Sequence, residues 1–251
     1  MSGHSKWSTI KRRKGAEDAK RAKLFTRAAK EIIIAARDGG GDENTNPRLK
    51  LAIQRARAVN MPRENIERAI KRGTGEIEGG EAMAEIVYEG YGHEGVAFIV
   101  EVMTDNKNRT LAEVKNVFNK MGGNLATSGA VQWQFEQLGY ITLKGDKLDF
   151  DALFMVAAEA GADDVVDEDG VMTVYTPRTA LAAVEEALRS AGYEIEESEL
   201  RWFAKNEVDI SLEAAVKNMK LMERLEELDD VQNVATNMSL TEDMMAAYES
   251  A

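Results

Sequence analysis

Cysteine is absent from this 251-residue chain. That excludes a disulfide scaffold, a thiol nucleophile and any cysteine-ligated zinc or iron–sulfur centre. Two histidines, His4 and His93, are too few for a histidine-rich metal site. No apolar run approaches the roughly 18 residues that read as a membrane span, so no membrane association is expected. The opening segment, MSGHSKWSTIKRRKG, lacks the apolar middle of a secretory signal, and a cytoplasmic setting is the default. Apolar residues nevertheless make up 44% of the chain, enough for a buried core and too many for wholesale disorder.

The net charge of −12 conceals a polarity along the chain. Residues 1–78 hold 19 Lys/Arg against 10 Asp/Glu, a net of +9. The remainder holds 13 against 34, a net of −21. A cationic head on an acidic body points to a polyanionic partner held at one end and repelled at the other.

Hydrophobic spacing divides the chain further. Residues 1–23 carry eight Lys/Arg and few apolar side chains, which reads as a basic flexible arm. Residues 24–78 show three helical stripes: Leu24 to Ala36, Leu49 to Val59, and Ile66 to Ile70. Their punctuation is Gly39-Gly40-Gly41, the capping pair Asn46-Pro47, Pro62 and Gly73. From residue 79 the period becomes that of strands. Gly95–Met103 is apolar on both faces, as a central strand would be. Val131, Trp133 and Phe135 alternate with polar residues, as in a half-buried strand. Residues 137–205 read β-α-β-β-α-β, the ferredoxin-like order. Residues 79–136 lack a helix and a strand that 206–251 supply. The expected fold is therefore α+β and multi-domain: an N-terminal three-helix domain plus two ferredoxin-like α+β domains, the third inserted in the second.

The candidate site is a basic surface. On the arm it comprises Lys6, Lys11, Arg12, Arg13, Lys14, Lys20, Arg21 and Lys23, which suit phosphates because neutralising them releases counterions. Trp7 lies in this run, where an exposed indole would stack on a base. Arg27, Arg55, Arg57, Arg63, Arg68, Lys71 and Arg72 punctuate the helices and are expected to project outward. Contact with the nucleic-acid backbone is favoured over a sequence-reading third helix. Lys107 and Arg109, in the polar loop Thr104–Thr110, are a second candidate contact. Other motifs give less. Gly90-Tyr91-Gly92-His93-Glu94-Gly95 fits GxGxxG, but a strand follows where dinucleotide binding needs a helix N-terminus, so a hairpin turn is expected. Around Gly170 a calcium loop would need ligands from Val165 and Thr176, which cannot serve. No catalytic constellation, metal or cofactor is expected.

Gly3-His4-Ser5-Lys6-Trp7, the stretch Asn60–Gly73, the loop Thr104–Thr110 and Asp229–Val234 closely resemble the YebC family, across essentially the whole chain. The resemblance implies a helical bundle and two α+β domains in a family described as probable transcriptional regulators. Mitochondrial relatives are translational activators, and bacterial members are linked to relief of ribosome stalling. His93 stands where many members have proline, and Ala126-Thr127-Ser128-Gly129-Ala130-Val131 departs from the usual Gly-Thr-Ser-Gly-Ser-Val. The expected function is a non-enzymatic, nucleic-acid-binding regulator, with DNA as the target. The alternative is a translation factor on ribosomal RNA. A protein-interaction scaffold, using the acidic α+β domains for protein partners, is the third reading.

Overall fold

A computed structural model describes Trp7 and residues 17–77, 82–145, 148–168 and 170–250. It is mixed helix and sheet, with a helical unit at the N-terminal side and two antiparallel four-stranded sheets. Helix α1 (Glu17–Gly39) packs against both α2 (Pro47–Ala58) and α3 (Arg63–Gly73). Their shared core includes Ile32, Ile34, Leu49, Ile53, Ala56 and Ile66. The Asn46 side chain caps α2 by accepting from the Leu49 amide at 3.0 Å. Gly73 closes α3 where a Cβ would meet the Ile33 carbonyl oxygen at 2.4 Å. Only glycine lets the two helices approach so closely there.

The first sheet has strand order β3-β1-β2-β8, from β1 (Ala84–Tyr91), β2 (Ala97–Thr104), β3 (Asn124–Leu125) and β8 (Val231–Thr236). Helices α4 (Lys107–Lys120) and α7 (Leu212–Glu226) supply Val114, Phe118, Met219, Leu221 and Leu225 to one core with Phe98 and Val100 of β2. Ala97 and Ile99 face the other way, into a smaller core with Val131, Phe135 and Ala235. Strand β2 is therefore apolar on both faces because both are covered. The GxGxxG segment is the β1–β2 turn, with a single 3-10 turn at His93–Gly95.

The second sheet has strand order β5-β6-β4-β7. Its strands are β4 (Phe135–Lys144), β5 (Asp164–Glu168), β6 (Val171–Pro177) and β7 (Glu194–Ala204), with helices α5 (Phe150–Glu159) and α6 (Leu181–Ser190) between them. This is the ferredoxin-like arrangement, and it lies in sequence between β3 and α7 of the first sheet. Strand β7 touches β8, so the two sheets adjoin.

Three local expectations are corrected. Gln132–Gln134 is a 3-10 turn, so Val131–Gln134 is not a strand, Phe135 opens β4 of the second sheet, and the third strand of the first sheet is the short β3. The cause is Glu89. Its carboxylate accepts from the amides of Gly129, Val131 and Gln132 at 2.6, 2.7 and 2.9 Å, turning those donors away from any ladder. Val131 and Phe135 are buried, as the alternation implies, but Trp133 is 70% exposed. Third, a C-terminal helix, α8 (Glu242–Glu249), covers the first core through Met244, Met245 and Tyr248, in addition to the one helix and one strand expected of residues 206–251.

Candidate nucleic-acid interface

The arm residues Lys6, Lys11, Arg12, Arg13 and Lys14 lie outside the described residues. Lys20 and Arg21 fall on α1, their side chains likewise outside. Trp7 is described and overturns the expectation of an exposed, base-stacking indole. It is 4% exposed, packs edge-on against Tyr248 with centroids 5.4 Å apart, and donates from Nε1 to Glu226 at 3.3 Å. An indole buries more apolar surface than any other side chain in this segment, so the core of the first sheet outcompetes water for it. Its burial pins the arm to the body at one point.

The helical cations fall into two sets. The first is engaged within the molecule. Lys23 and Arg27 donate to the backbone oxygen of Glu226, and Lys30 donates to that of Asp229 at 2.8 Å. These oxygens sit at or just past the end of α7, where helix carbonyls lack partners and the dipole favours cations. Burial lowers the Arg27 pKa from its ordinary value, against the opposing charges of Glu226, Glu199 and Glu31. Arg55 donates from Nε to the Ser198 carbonyl of β7 at 2.8 Å and pairs with Glu31 at 3.2 Å. Burial pushes the Glu31 carboxyl upward, and Arg55 opposes that. Arg72 pairs with Asp105 at 3.4 Å. The expectation that Arg27, Arg55 and Arg72 all project outward is therefore corrected. They fasten the helical unit to its neighbours.

Asp230 is the centre of this fastening. It is buried at the start of β8 and receives four side chains. Lys30 reaches Oδ1 at 2.5 Å. Thr110 at 2.6 Å, Arg109 at 2.8 Å and Thr104 at 3.1 Å reach Oδ2. Burial alone would raise its pKa. The hydrogen bonds from Arg109, Lys30 and Thr110 outweigh that and hold it well below the usual carboxylate range. Arg109, raised by the same partnership and also bonded to Asp105, is thus a structural cation rather than a clear second contact. Lys30, Asp105, Arg109, Asp229 and Asp230 line a cleft of about 540 Å³.

The second set faces solvent. On α3 the buried side is Ile66 and Ala69, which leaves Arg63, Arg68 and Lys71 on the outer face. Arg63 pairs with Glu67 one turn on, at 2.7 Å. Arg68 and Lys71 make no ion pair among the described residues. Arg57, at the end of α2, is exposed and only loosely paired with Glu43 at 3.8 Å. Lys107 is exposed at the first turn of α4, whose Asn106 cap accepts from the Arg109 amide. The Arg72–Asp105 pair brings the end of α3 beside the loop that leads to Lys107. Arg57, Arg63, Arg68, Lys71 and Lys107 are therefore the described candidate residues that remain available to an external polyanion.

Sequence reasoning missed the role of Asp230, Glu226 and Glu89 as acceptors. A signal existed for the first. The loop Thr104–Thr110 and the segment Asp229–Val234 were both distinctive, and they meet at this carboxylate. No pattern marked Glu226 or Glu89, because the donors that reach them, side chains of Trp7, Lys23 and Arg27 for the first and backbone amides for the second, lie far away in sequence.

Fold and surface together define a three-part protein: a basic helical bundle, an α+β unit, and a ferredoxin-like unit set within the second. Residues 5–76 match the family profile described as the TACO1/YebC protein N-terminal domain, and residues 83–238 that of the TACO1/YebC second and third domain. The chain belongs to the TACO1/YebC family. A probable transcriptional regulatory protein of Fusobacterium nucleatum is 51% identical over 246 residues, covering 98% of each chain. One of Geobacter sulfurreducens is 51% identical over 245 residues, again covering 98% of each. A crystal structure of a conserved hypothetical protein from Aquifex aeolicus superposes with a TM-score of 0.84 at 46% identity, over 90% of this chain and 93% of that one. No helix among the described residues is long and apolar enough to cross a membrane.

Proposed function

We propose that the protein is a non-enzymatic regulator that binds nucleic acid through the outer face of the helical bundle and the basic arm, and that its target is DNA. The observation that carries the reading is the outer face of α3. Arg68 and Lys71 are exposed and make no ion pair among the described residues, Arg63 lies on the same helix and Arg57 is exposed at the end of α2, on a chain whose residues 79–251 carry −21. Point cations spaced along a short helix suit phosphates, which carry no sequence information themselves. The interleaved Glu64 and Glu67 make the face a poor reader of base edges, so grip on the backbone is the primary mode. The relatives' naming as probable transcriptional regulatory proteins supports the choice of DNA.

The mechanism is electrostatic. Cations displace condensed counterions and gain their entropy, while the acidic sheets turn the polymer away from the rest of the surface. Helix α3 fixes the spacing of Arg63, Arg68 and Lys71, and the Lys30–Asp230 pair ties the bundle to the first sheet.

The test compares the full chain with two variants, Arg63→Ala/Arg68→Ala/Lys71→Ala and Lys11→Ala/Arg12→Ala/Arg13→Ala/Lys14→Ala. Each is titrated against a labelled DNA duplex and a fragment of ribosomal RNA at 50 mM salt. Loss of at least tenfold in duplex affinity by both variants, with unchanged circular dichroism, supports the reading. Tighter binding to the RNA fragment, with the same residues required, replaces DNA by a ribosomal target. Unchanged affinity in both variants leaves the scaffold reading.

A further inference from the structure

The strongest unexplained surface lies on α5, in the ferredoxin-like unit. This ten-residue helix packs inward through Leu153 and Ala157, with Val156 and Ala160 half-buried beside them. Its outer side should then be polar. Instead it presents Phe150, Phe154 and Met155, exposed by 40%, 41% and 58%. The two rings, one turn apart, stack at 6.2 Å. Eight large apolar side chains are exposed among the described residues, and three of them fall within these six positions. Scattered exposed apolar residues need no explanation, but a cluster does.

The surround is of one sign. From 149 to 168 the sequence holds seven acids and no Lys or Arg. Asp149 and Asp151 flank Phe150, and Glu159 ends the helix. Asp163, Asp164 and Asp167 lie on or beside β5, the strand against which α5 packs. None of these six carboxylates makes an ion pair among the described residues. Asp149, Asp164 and Asp167 each accept one backbone amide, but among the described residues no cation faces any of the six.

Its place in the fold matters too. Strand β5 is the sheet edge opposite β7, and β7 is the strand that Arg55 and β8 hold. Three strand spacings of about 4.8 Å separate the two edges. The patch therefore packs on the sheet edge opposite the strand that Arg55 holds.

We infer that the outer face of α5, with Phe150, Phe154 and Met155 among carboxylates that make no ion pair, is a docking surface for a cationic amphipathic segment of a partner protein. The apolar side of such a helix covers the aromatic pair, and its Lys/Arg meet Asp149, Asp151 and Glu159. Charge complementarity selects this occupant. A nucleic acid or an anionic membrane is repelled by the carboxylates, and a second copy of the same face brings like charges together.

The probe is a labelled 16-residue helical peptide with leucine at i, i+3, i+4 and i+7 and lysine or arginine elsewhere. A scrambled peptide of equal composition, with no apolar face, is the control. Fluorescence anisotropy is measured with the full chain and with Phe154→Gln/Met155→Gln, which changes no charge. Asp151→Asn/Glu159→Gln, which keeps the aromatic pair, is the second variant. The expected result is binding of the amphipathic peptide at least tenfold tighter than the scrambled one, a tenfold loss in the first variant and a several-fold loss in the second. Equal binding of both peptides, or equal binding by the wild-type chain and the Phe154/Met155 variant, would mean diffuse attraction to an acidic protein and overturn the proposal. Sedimentation of the wild-type chain as a dimer that Phe154→Gln/Met155→Gln dissolves would overturn it in favour of self-association.

Discussion

Replacing Asp230 by asparagine is the sharpest perturbation of the domain fastening. The wild-type carboxylate receives Lys30 at 2.5 Å, Thr110 at 2.6 Å, Arg109 at 2.8 Å and Thr104 at 3.1 Å. Asparagine keeps one acceptor and puts an amide donor where donors already converge. Lys30, only 12% exposed, loses its charge partner. Removing one member of a buried ion pair costs about 3–5 kcal/mol. Arg109 is 47% exposed, so its share is the ~0–1 kcal/mol of a surface pair. Lys30 is not wholly dry, which places the sum near the lower figure, about 3 kcal/mol. Urea unfolding followed by circular dichroism measures it. A double-mutant cycle with Lys30→Met is expected to return a coupling of about 1–3 kcal/mol. The pH dependence supplies a signature. A carboxylate held low in the folded state contributes stability that is complete above its unfolded value, about 3.9, and is lost as pH falls through the folded one. The wild-type chain should thus lose more stability on acidification below pH 4 than Asp230→Asn does. A variant within 0.5 kcal/mol of wild type at pH 7, or a coupling indistinguishable from zero, would refute the fastening.

Glu101, at the bulge where β2 meets β8, accepts from Trp202 Nε1 at 2.9 Å. Burial pushes its pKa up to about 7, against the hydrogen bonds from Trp202 and Asn233. An acid raised in the folded state loses stability as pH climbs from its unfolded value to the folded one. Glu101→Gln should therefore be more stable than wild type by about 1–3 kcal/mol at pH 8 and similar to it near pH 4.5, as thermal melts at the two pH values will show. Trp7→Ala should destabilise the chain by about 3–5 kcal/mol, the usual loss for a buried aromatic, measured by urea unfolding. If Trp7 were instead a base-stacking contact, the same variant would melt like wild type and lose only nucleic-acid affinity.

Much of the fold was legible because its signals are local. Periodicity gave α2, α3 and the part of α1 from Leu24, while residues 17–23, expected to belong to a flexible arm, are its first turns, and Asn46 announced the cap it makes. The two-faced apolar run at Val96–Val100 announced a central strand. The insertion was legible by counting elements, since residues 79–136 cannot close a sheet without Val231–Thr236. What escaped was set by distant backbone. Glu89 turns residues 129–132 into a loop from forty positions away, which no alternation at Val131–Phe135 reveals. The site was legible as a charge and not as an allocation. Sequence shows that Arg27, Arg55 and Arg72 are cations on helices. Only the positions of Glu226, Ser198 and Asp105 show that they are taken, while Arg63, Arg68 and Lys71 are left outward.

The salt dependence of duplex binding tests the central claim most directly. Each phosphate neutralised lowers log K by about 0.9 per unit of log salt concentration. If the outward cations of the bundle and the arm together engage about six phosphates, the full chain should show a slope of about −5 between 50 and 300 mM salt. Arg63→Ala/Arg68→Ala/Lys71→Ala should flatten it by about two to three units. A slope near zero, or one that these substitutions leave unchanged, would contradict an electrostatic grip at this face.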